Sequence, residues 1–225
     1  SLYATSAWEM TTSGDLVGTT FNGELDYYNS KPPLNVWLLA TSFSLFGVNL
    51  VSLRVASAMA AVLAVWVLQW WTRRTCGPGV SILASLVLAT SFGYLHQHSA
   101  RSGNPDALLT LLILLVVVVL WRSRQQPAVR IWLGPILGAI VLLKGFAVVL
   151  PLVIVVGFEM WGERPSREQA PVAYLRACAL FAVVVGGWVA ARHAVDGWLF
   201  FDRMVANDLF GVTLTPLEGH ENGTL

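Results

Sequence analysis

Six apolar runs constrain this chain more than anything else in it: Val51 to Trp71, Gly79 to Leu95, Ala107 to Trp121, Ile131 to Leu143, Phe146 to Trp161 and Ala173 to Ala191. A hydrocarbon layer of about 30 Å takes roughly 20 apolar residues per crossing helix, and these runs are of that order. The 225 residues are 56% hydrophobic and only 12% charged, with ten Trp, so they lack the polar surface a soluble domain of this length needs. The expected class is an all-α polytopic membrane protein with about six transmembrane helices and interfacial helices in its outer loops. The fourth and fifth runs are short and meet at Lys144-Gly145, which predicts a tight hairpin tip. The stretch Pro33 to Val48 is apolar but short and amphipathic, so an interfacial or re-entrant helix fits it better than a crossing. Pro32 and Pro33 are suited to start it.

Orientation follows from the basic residues. Arg73, Arg74, Arg122, Arg124, Arg130, Arg164, Arg167 and Arg176 fall on one side, packed into three short loops, and that side is assigned to the cytoplasm. Lys31, Arg54, Arg101, Lys144, Arg192 and Arg203 fall on the other. Ten of the 13 acidic residues also lie on the outer side, including Glu9, Asp26, Asp106, Asp196 and Glu218. Acids contribute little to topology, so a working outer face explains that excess. The long segments are outer too. The chain therefore divides into a first external loop with interfacial helices (1–50), a transmembrane bundle (51–191) and an external segment (192–225). A net charge of +1 without a basic tail gives no reason to expect nucleic acid. Cys76, in a cytoplasmic turn, and Cys178, inside a span, are not placed for a disulfide. Asn222-Gly-Thr is a formal glycosylation acceptor that matters only in a eukaryotic secretory setting. No nucleotide loop, Walker pattern or paired CxxC occurs; the sequence signals no cofactor and leaves a divalent cation open.

Lys31, Arg101, Asp106 and Lys144 share the outer side near membrane depth. A charge at a helix centre costs on the order of 2.5 to 3.5 kcal/mol on the insertion scale, so charges kept near the bilayer usually line a polar cavity. Three cations with one carboxylate suit an anionic, membrane-borne substrate. Each residue also has a bland reading. In Tyr27-Tyr28-Asn29-Ser30-Lys31-Pro32-Pro33 the lysine is either a snorkelling anchor in an aromatic belt or a phosphate ligand with tyrosine hydroxyls beside it. Asp106 precedes Ala107-Leu108-Leu109 and can serve simply as an N-cap. Arg101 offers a planar donor fork to an oxyanion, whereas His96 and His98 lack a third ligand for metal. Lys144 either marks the water boundary or faces a phosphate. Ser1 to Thr12 reads as a helix ended by Ser13-Gly14-Asp15, Phe21-Asn22-Gly23-Glu24 as a tight turn, and Trp198 to Phe201 as part of a helix lying on the membrane.

In this order the segments resemble the integral-membrane C-type glycosyltransferases, in particular the bacterial lipid A aminoarabinose transferases and the dolichyl-phosphate-mannose protein mannosyltransferases. Four stretches carry the likeness: Tyr3-Ala4 through Asp15, Tyr28-Asn29-Ser30-Lys31-Pro32-Pro33-Leu34, Arg101 through Ala107, and Leu143-Lys144-Gly145 followed by Leu150-Pro151. Asn207-Asp208 with Glu218-Gly219-His220 is a fainter echo. The resemblance implies transfer of a sugar from a polyprenyl-phosphate carrier to a lipid, glycan or protein acceptor, with inversion, at the extracytoplasmic face of a cell membrane, most simply a bacterial inner membrane. It implies phosphate or sugar contacts for Tyr3, Tyr28, Lys31, Lys144 and Arg101, an orienting or polarising role for Asp106, and a place for His220 in an external lid or metal site. No metal ligand set is assigned.

Two departures from the family pattern stand out. The family's principal catalytic aspartate would precede Tyr3 by four residues, just before Ser1, so the segment is expected to be an inactive fragment of a longer protein. Ser30 stands where some relatives have an acid, and Leu2 where they have an arginine; the first weakens a metal site and the second removes a phosphate donor. The competing reading is a transporter or flippase for a lipid-linked anion, which would use the same basic cavity without chemistry. Against it, the chain has no internal repeat and its charges sit at the outer rim rather than at midplane.

Overall fold

Each of the six apolar runs is a helix. The computed structural model describes residues 2–27, 31–95, 103–161 and 170–207. The bundle comprises α3 (Leu50–Thr75), α4 (Pro78–Thr90) continued by the single turn α5 (Phe92–Leu95), α6 (Asp106–Ser123), α7 (Leu133–Lys144), α8 (Val149–Trp161) and α9 (Ala170–Asp196). Outside it lie α1 (Leu2–Ser13), the two-residue strands β1 (Thr20–Phe21) and β2 (Glu24–Leu25), α2 (Leu34–Phe46) and α10 (Leu199–Val205). Four segments, Leu50–Thr75, Asp106–Ser123, Pro127–Met160 and Pro171–Asp196, are long and apolar enough to cross a membrane. The third folds back on itself through a 3-10 turn at Gly145–Val148, so it supplies both α7 and α8. The expected polytopic all-α fold is what forms.

Local chemistry sets the boundaries. The Asn49 side chain accepts hydrogen bonds from the backbone N–H of Val51 (2.8 Å) and Ser52 (2.9 Å), while the Ser52 hydroxyl accepts from Asn49 N–H (3.1 Å). That reciprocal cap starts α3. Gly77, at φ +90°, turns the chain into Pro78, the first residue of α4. In the α7–α8 hairpin Gly145 takes φ +48° at the tip. At the open end Arg130, in a 3-10 turn before α7, pairs with Glu159 of α8 at 3.1 Å. The external hairpin puts Asn22 (φ +56°) and Gly23 (φ +80°) between Phe21 and Glu24, the pair of positive-φ residues that a two-residue loop requires.

Two expectations need correction. The stretch after Pro33 is a helix, but it is not amphipathic. Val36, Leu39, Ala40 and Phe43 are buried against α1, while Leu38 and Leu45 on the other side are 36% and 70% exposed. Both faces are apolar because one meets protein and the other has the chemistry of lipid contact. The second correction concerns α9, which runs to Asp196 rather than ending near Ala191. Residues 192–196 therefore belong to the bundle, and Arg176 lies within the helix instead of a loop.

The reason α9 extends is Arg192. Its side chain is only 1% exposed, an arrangement tolerable for a cation only with partners. It reaches Asp196 one turn later at 2.7 Å, donates to the Val17 carbonyl at 3.2 Å and lies 4.3 Å over the Phe200 ring. One guanidinium thus ties α9, α10 and the external loop together. Trp188, Phe200 and Leu142 pack beside it, with Tyr27, Leu34 and Trp37 against them. At the other boundary Gly134 lets α7 meet α9 so closely that an added Cβ would overlap the Ala177 carbonyl.

Replacing Arg192 with Leu strands the Asp196 carboxylate, which is 5% exposed, and should cost about 3–5 kcal/mol. Gly134→Ala should lose about 1–3 kcal/mol through overpacking. Gly186→Ala, with open space around the new methyl, should be neutral or slightly stabilising. Thermal melts of the three purified variants in one detergent check the ranking; equal melting temperatures for Gly134→Ala and Gly186→Ala would refute the close-contact argument.

Candidate active site

Three stretches far apart in sequence meet at one boundary of the bundle. The first is Lys31-Pro32-Pro33-Leu34. Both prolines are fully buried and lead directly into α2, while Lys31 itself is half-buried. Leu34 packs against two clusters, one containing Ile140 and Leu143 and the other Leu142, and α2 contacts α7. The segment that carries Lys31 is therefore fixed against the last turn of α7, where Lys144 sits.

The second stretch is Gly103-Asn104-Pro105-Asp106, which enters α6. It is held by two side chains from other helices. Asn35 of α2 donates to the Gly103 carbonyl at 3.1 Å, and Ser57 of α3 donates to the Asn104 carbonyl, also at 3.1 Å. Gly103 fits tightly, since an added Cβ would press on the Leu53 side chain and lie 3.0 Å from its carbonyl oxygen. Pro105, not Asp106, is the N-cap, and no side chain caps this helix. The N-cap reading of Asp106 is thereby set aside; its carboxylate points elsewhere.

It points at Lys144. The ammonium Nζ donates to Asp106 Oδ1 at 2.7 Å, joining the first turn of α6 to the last residue of α7. Each charge occupies the helix end whose dipole favours it, the acid at an N-terminus and the cation at a C-terminus. The two side chains remain 34% and 41% exposed. An ion pair that open contributes about 0–1 kcal/mol to stability, so its stabilising role is small. What the arrangement provides is a carboxylate and an ammonium held together, open to the boundary, on ends of rigid helices.

Tyr3 lies on α1, where it packs against the α1–α2 cluster of Ala7, Met10, Val36 and Leu39. The helix after Lys31 is thus the platform on which Tyr3 sits. Tyr27 ends the external loop, and its phenol is pushed above the usual tyrosine range, first by burial and then by the Asp196 carboxylate. Glu9 is held below its ordinary range, chiefly by a hydrogen bond from Thr20, and helps fasten the hairpin to α1. Tyr28, Ser30, His96, His98, Arg101, Asp208, Glu218 and His220 lie outside the described residues. Among the described residues, no group of three His, Cys, Asp or Glu side chains is placed to hold a metal ion.

Sequence reasoning missed the holders of the site. Asn35 and Ser57 are polar residues in largely apolar helices, and that was the available signal. Arg192 and Asp196, four residues apart at the end of a span, could likewise have been read as a self-paired turn.

Comparison with known proteins fits this layout. The family model described as dolichyl-phosphate-mannose-protein mannosyltransferase matches residues 30–189. A curated relative from Pseudomonas fluorescens, an undecaprenyl phosphate-alpha-4-amino-4-deoxy-L-arabinose arabinosyl transferase, is 32% identical over 209 residues, covering 88% of this chain and 35% of the relative. Its counterpart in Pseudomonas aeruginosa is 32% identical, with 88% and 37% covered. The chain thus spans little more than a third of the length of these relatives. The crystal structure of ArnT from Cupriavidus metallidurans bound to undecaprenyl phosphate superposes with a TM-score of 0.71 at 19% identity, covering 91% of this chain and 39% of that one. The apo form of the same protein gives 0.71 at 20% identity, with 88% and 38% covered. The lysine–proline segment, the Asp106 loop and the Lys144 hairpin all fall within the matched residues, and this chain belongs to the dolichyl-phosphate-mannose-protein mannosyltransferase family.

Proposed function

We propose that this chain forms the donor-phosphate half of the active site of a glycosyltransferase. The enzyme moves a sugar from a polyprenyl-phosphate carrier to an acceptor at the extracytoplasmic face. The observation that carries the reading is the 2.7 Å contact between Lys144 and Asp106, with the Lys31 segment packed against the same helix end. The names of the curated relatives supply the donor class.

The reaction asks for little covalent chemistry from the protein. An acceptor hydroxyl attacks the anomeric carbon, the bond from that carbon to the phosphate oxygen breaks, and the configuration inverts. The acceptor proton passes to a carboxylate, and polyprenyl phosphate departs with the bonding pair. Negative charge grows on the leaving phosphate, so cations set beforehand around it lower the barrier more than they favour the ground state. Lys144 and Lys31 fill that role. Lys144 is not lost to its partner in doing so: an ammonium has three donors, and one of them suffices for Asp106. The carboxylate of Asp106, held on its other side, orients the sugar or the acceptor hydroxyl. Tyr3 adds a hydroxyl donor to the phosphate, and the family likeness extends phosphate or sugar contacts to Tyr28, Arg101 and His220, which lie outside the described residues.

The arginine excess at the opposite boundary supports an orientation with the Lys144 end on the extracytoplasmic side of a bacterial inner membrane. A lipid-linked sugar would present its phosphate at the bilayer surface, the depth at which Lys31, Asp106 and Lys144 stand.

The test is turnover of the full-length protein with polyprenyl-phosphate sugars, following released polyprenyl phosphate and the glycosylated acceptor. Lys144→Ala, Lys31→Ala and Asp106→Asn should each lower kcat by about 10²- to 10³-fold, the usual loss for one preorganised electrostatic group. Insertion should be unaffected, because the ion pair is half-exposed. Wild-type turnover in Lys144→Ala would overturn the assignment. Donor binding retained without any transfer, in the unaltered protein and across acceptors, would favour a carrier instead.

A further inference from the structure

The boundary opposite Lys144 and Asp106 carries a second charged arrangement that glycosyl transfer does not use. At the end of α3, the Arg74 guanidinium lies 4.7 Å from the centre of the Trp70 ring; Arg122, from the end of α6, lies 5.8 Å from the same ring. Next to them Arg124 sits 4.7 Å over Trp121 and 5.2 Å over Phe158 of α8, and Trp121 meets Trp71 edge to face at 6.3 Å. Three helix ends are thus joined by indoles with guanidiniums laid across them. Arg74, Arg122 and Arg124 are all exposed. Among the described residues none of the three has a carboxylate within ion-pair distance: Glu159 is taken by Arg130 and Tyr174.

Two like charges against one ring repel each other, and the indole offers only a weak cation–π attraction in return. An anion placed between them would turn that repulsion into two charge-assisted contacts. What surrounds the pair identifies the anion. Trp121 and Trp132, exposed by 42% and 59%, occupy the same end of the bundle, where aromatic belts mark the headgroup level. Along α3 the residues Met59, Leu63 and Trp66, all exposed, continue in steps of three and four to Trp70 and Arg74. A single stripe therefore runs from apolar at bilayer depth to cationic at the boundary. That is the pattern of a phospholipid standing on end, acyl chain below and phosphodiester above.

We propose that Trp70, Arg74 and Arg122 form a binding site for the headgroup of an anionic phospholipid, with its acyl chain lying on the Met59–Leu63–Trp66 face of α3. Free phosphate shares the charge but not the chain, and a zwitterionic lipid shares the chain but not the net charge. The site discriminates against both.

Binding is read by native mass spectrometry of the full-length protein, titrated with phosphatidylglycerol, with phosphatidylcholine of the same acyl composition, or with inorganic phosphate. The unaltered protein should take up phosphatidylglycerol about tenfold more tightly than phosphatidylcholine and ignore inorganic phosphate at millimolar concentration. Arg74→Gln and Arg122→Gln should each weaken phosphatidylglycerol by roughly fivefold, the usual effect of one basic residue near an anionic surface. Arg203→Gln, which removes a charge from α10 at the other boundary, should leave the preference intact. Both arginines are exposed, and a melt within two degrees of the parent shows that the fold is kept; where Arg74→Gln fails to insert, Arg122→Gln decides. Equal binding of the two lipids, an equal loss in Arg203→Gln, or competition by inorganic phosphate would each overturn the proposal.

Discussion

Ionised groups cannot rest in hydrocarbon without a partner, and nearly every feature of this chain can be traced to that constraint. The apolar runs become helices, and the charges between them are driven to two boundaries. Two arginines break the pattern, and each shows the terms on which a cation is buried. Arg192 has Asp196, the Val17 carbonyl and the Phe200 ring. Arg130 has Glu159, with the Tyr174 ring 5.2 Å away. Buried pairs of this kind add little net stability, because desolvation offsets the attraction. Their effect is to fix geometry: Arg130 closes the α7–α8 hairpin at one end, and Arg192 fastens the external loop at the other.

That fastening connects structure to chemistry. Lys31 follows an external loop that has no bundle helix of its own. Its position is instead inherited from neighbours: Arg192 grips Val17, Trp37 donates through its indole N–H to the Leu16 carbonyl at 2.6 Å, and Leu34 packs on the end of α7. Asp106 is inherited in the same way, through Asn35 and Ser57. The Lys144 hairpin needs less support, since Gly145 and the Arg130–Glu159 pair define it from both ends. The candidate site is therefore a meeting of one rigid tip with two loops, each tied by buried polar contacts.

How much of this was legible in the sequence depended on range. Periodicity and length revealed the helices, and Lys144-Gly145 revealed the hairpin, because both are local. Asn22-Gly23 announced its turn for the same reason. The face of α2 was misjudged: an apolar residue looks alike whether it meets lipid or protein, so Leu45 and Val36 cannot be told apart by composition. The end of α9 was misplaced because an arginine was taken as a water marker; Asp196 offered it a partner within one turn, and the Val17 carbonyl, distant in sequence, completes its burial. Asp106 was weighed as a cap from its neighbours in sequence, whereas its partner is Lys144, supplied by another helix.

The two boundaries of the bundle use the same residue types to opposite ends. On the Lys144 side, cations have acids beside them. Among the described residues the pairs Lys144–Asp106 and Arg192–Asp196 leave little net charge, and an incoming phosphate meets a field already oriented by neighbouring carboxylates. A site of that kind suits a substrate that must arrive, react and leave. On the Arg74 side Arg130 keeps Glu159, but Arg74, Arg122 and Arg124 are set against aromatic rings, which orient a guanidinium without neutralising it. Among the described residues those three guanidiniums have no carboxylate partner, which suits the proposed anion, one that stays. Turnover requires that binding be relinquished, while anchoring requires that it be kept; an acid as the cation's neighbour serves the first and an aromatic ring the second.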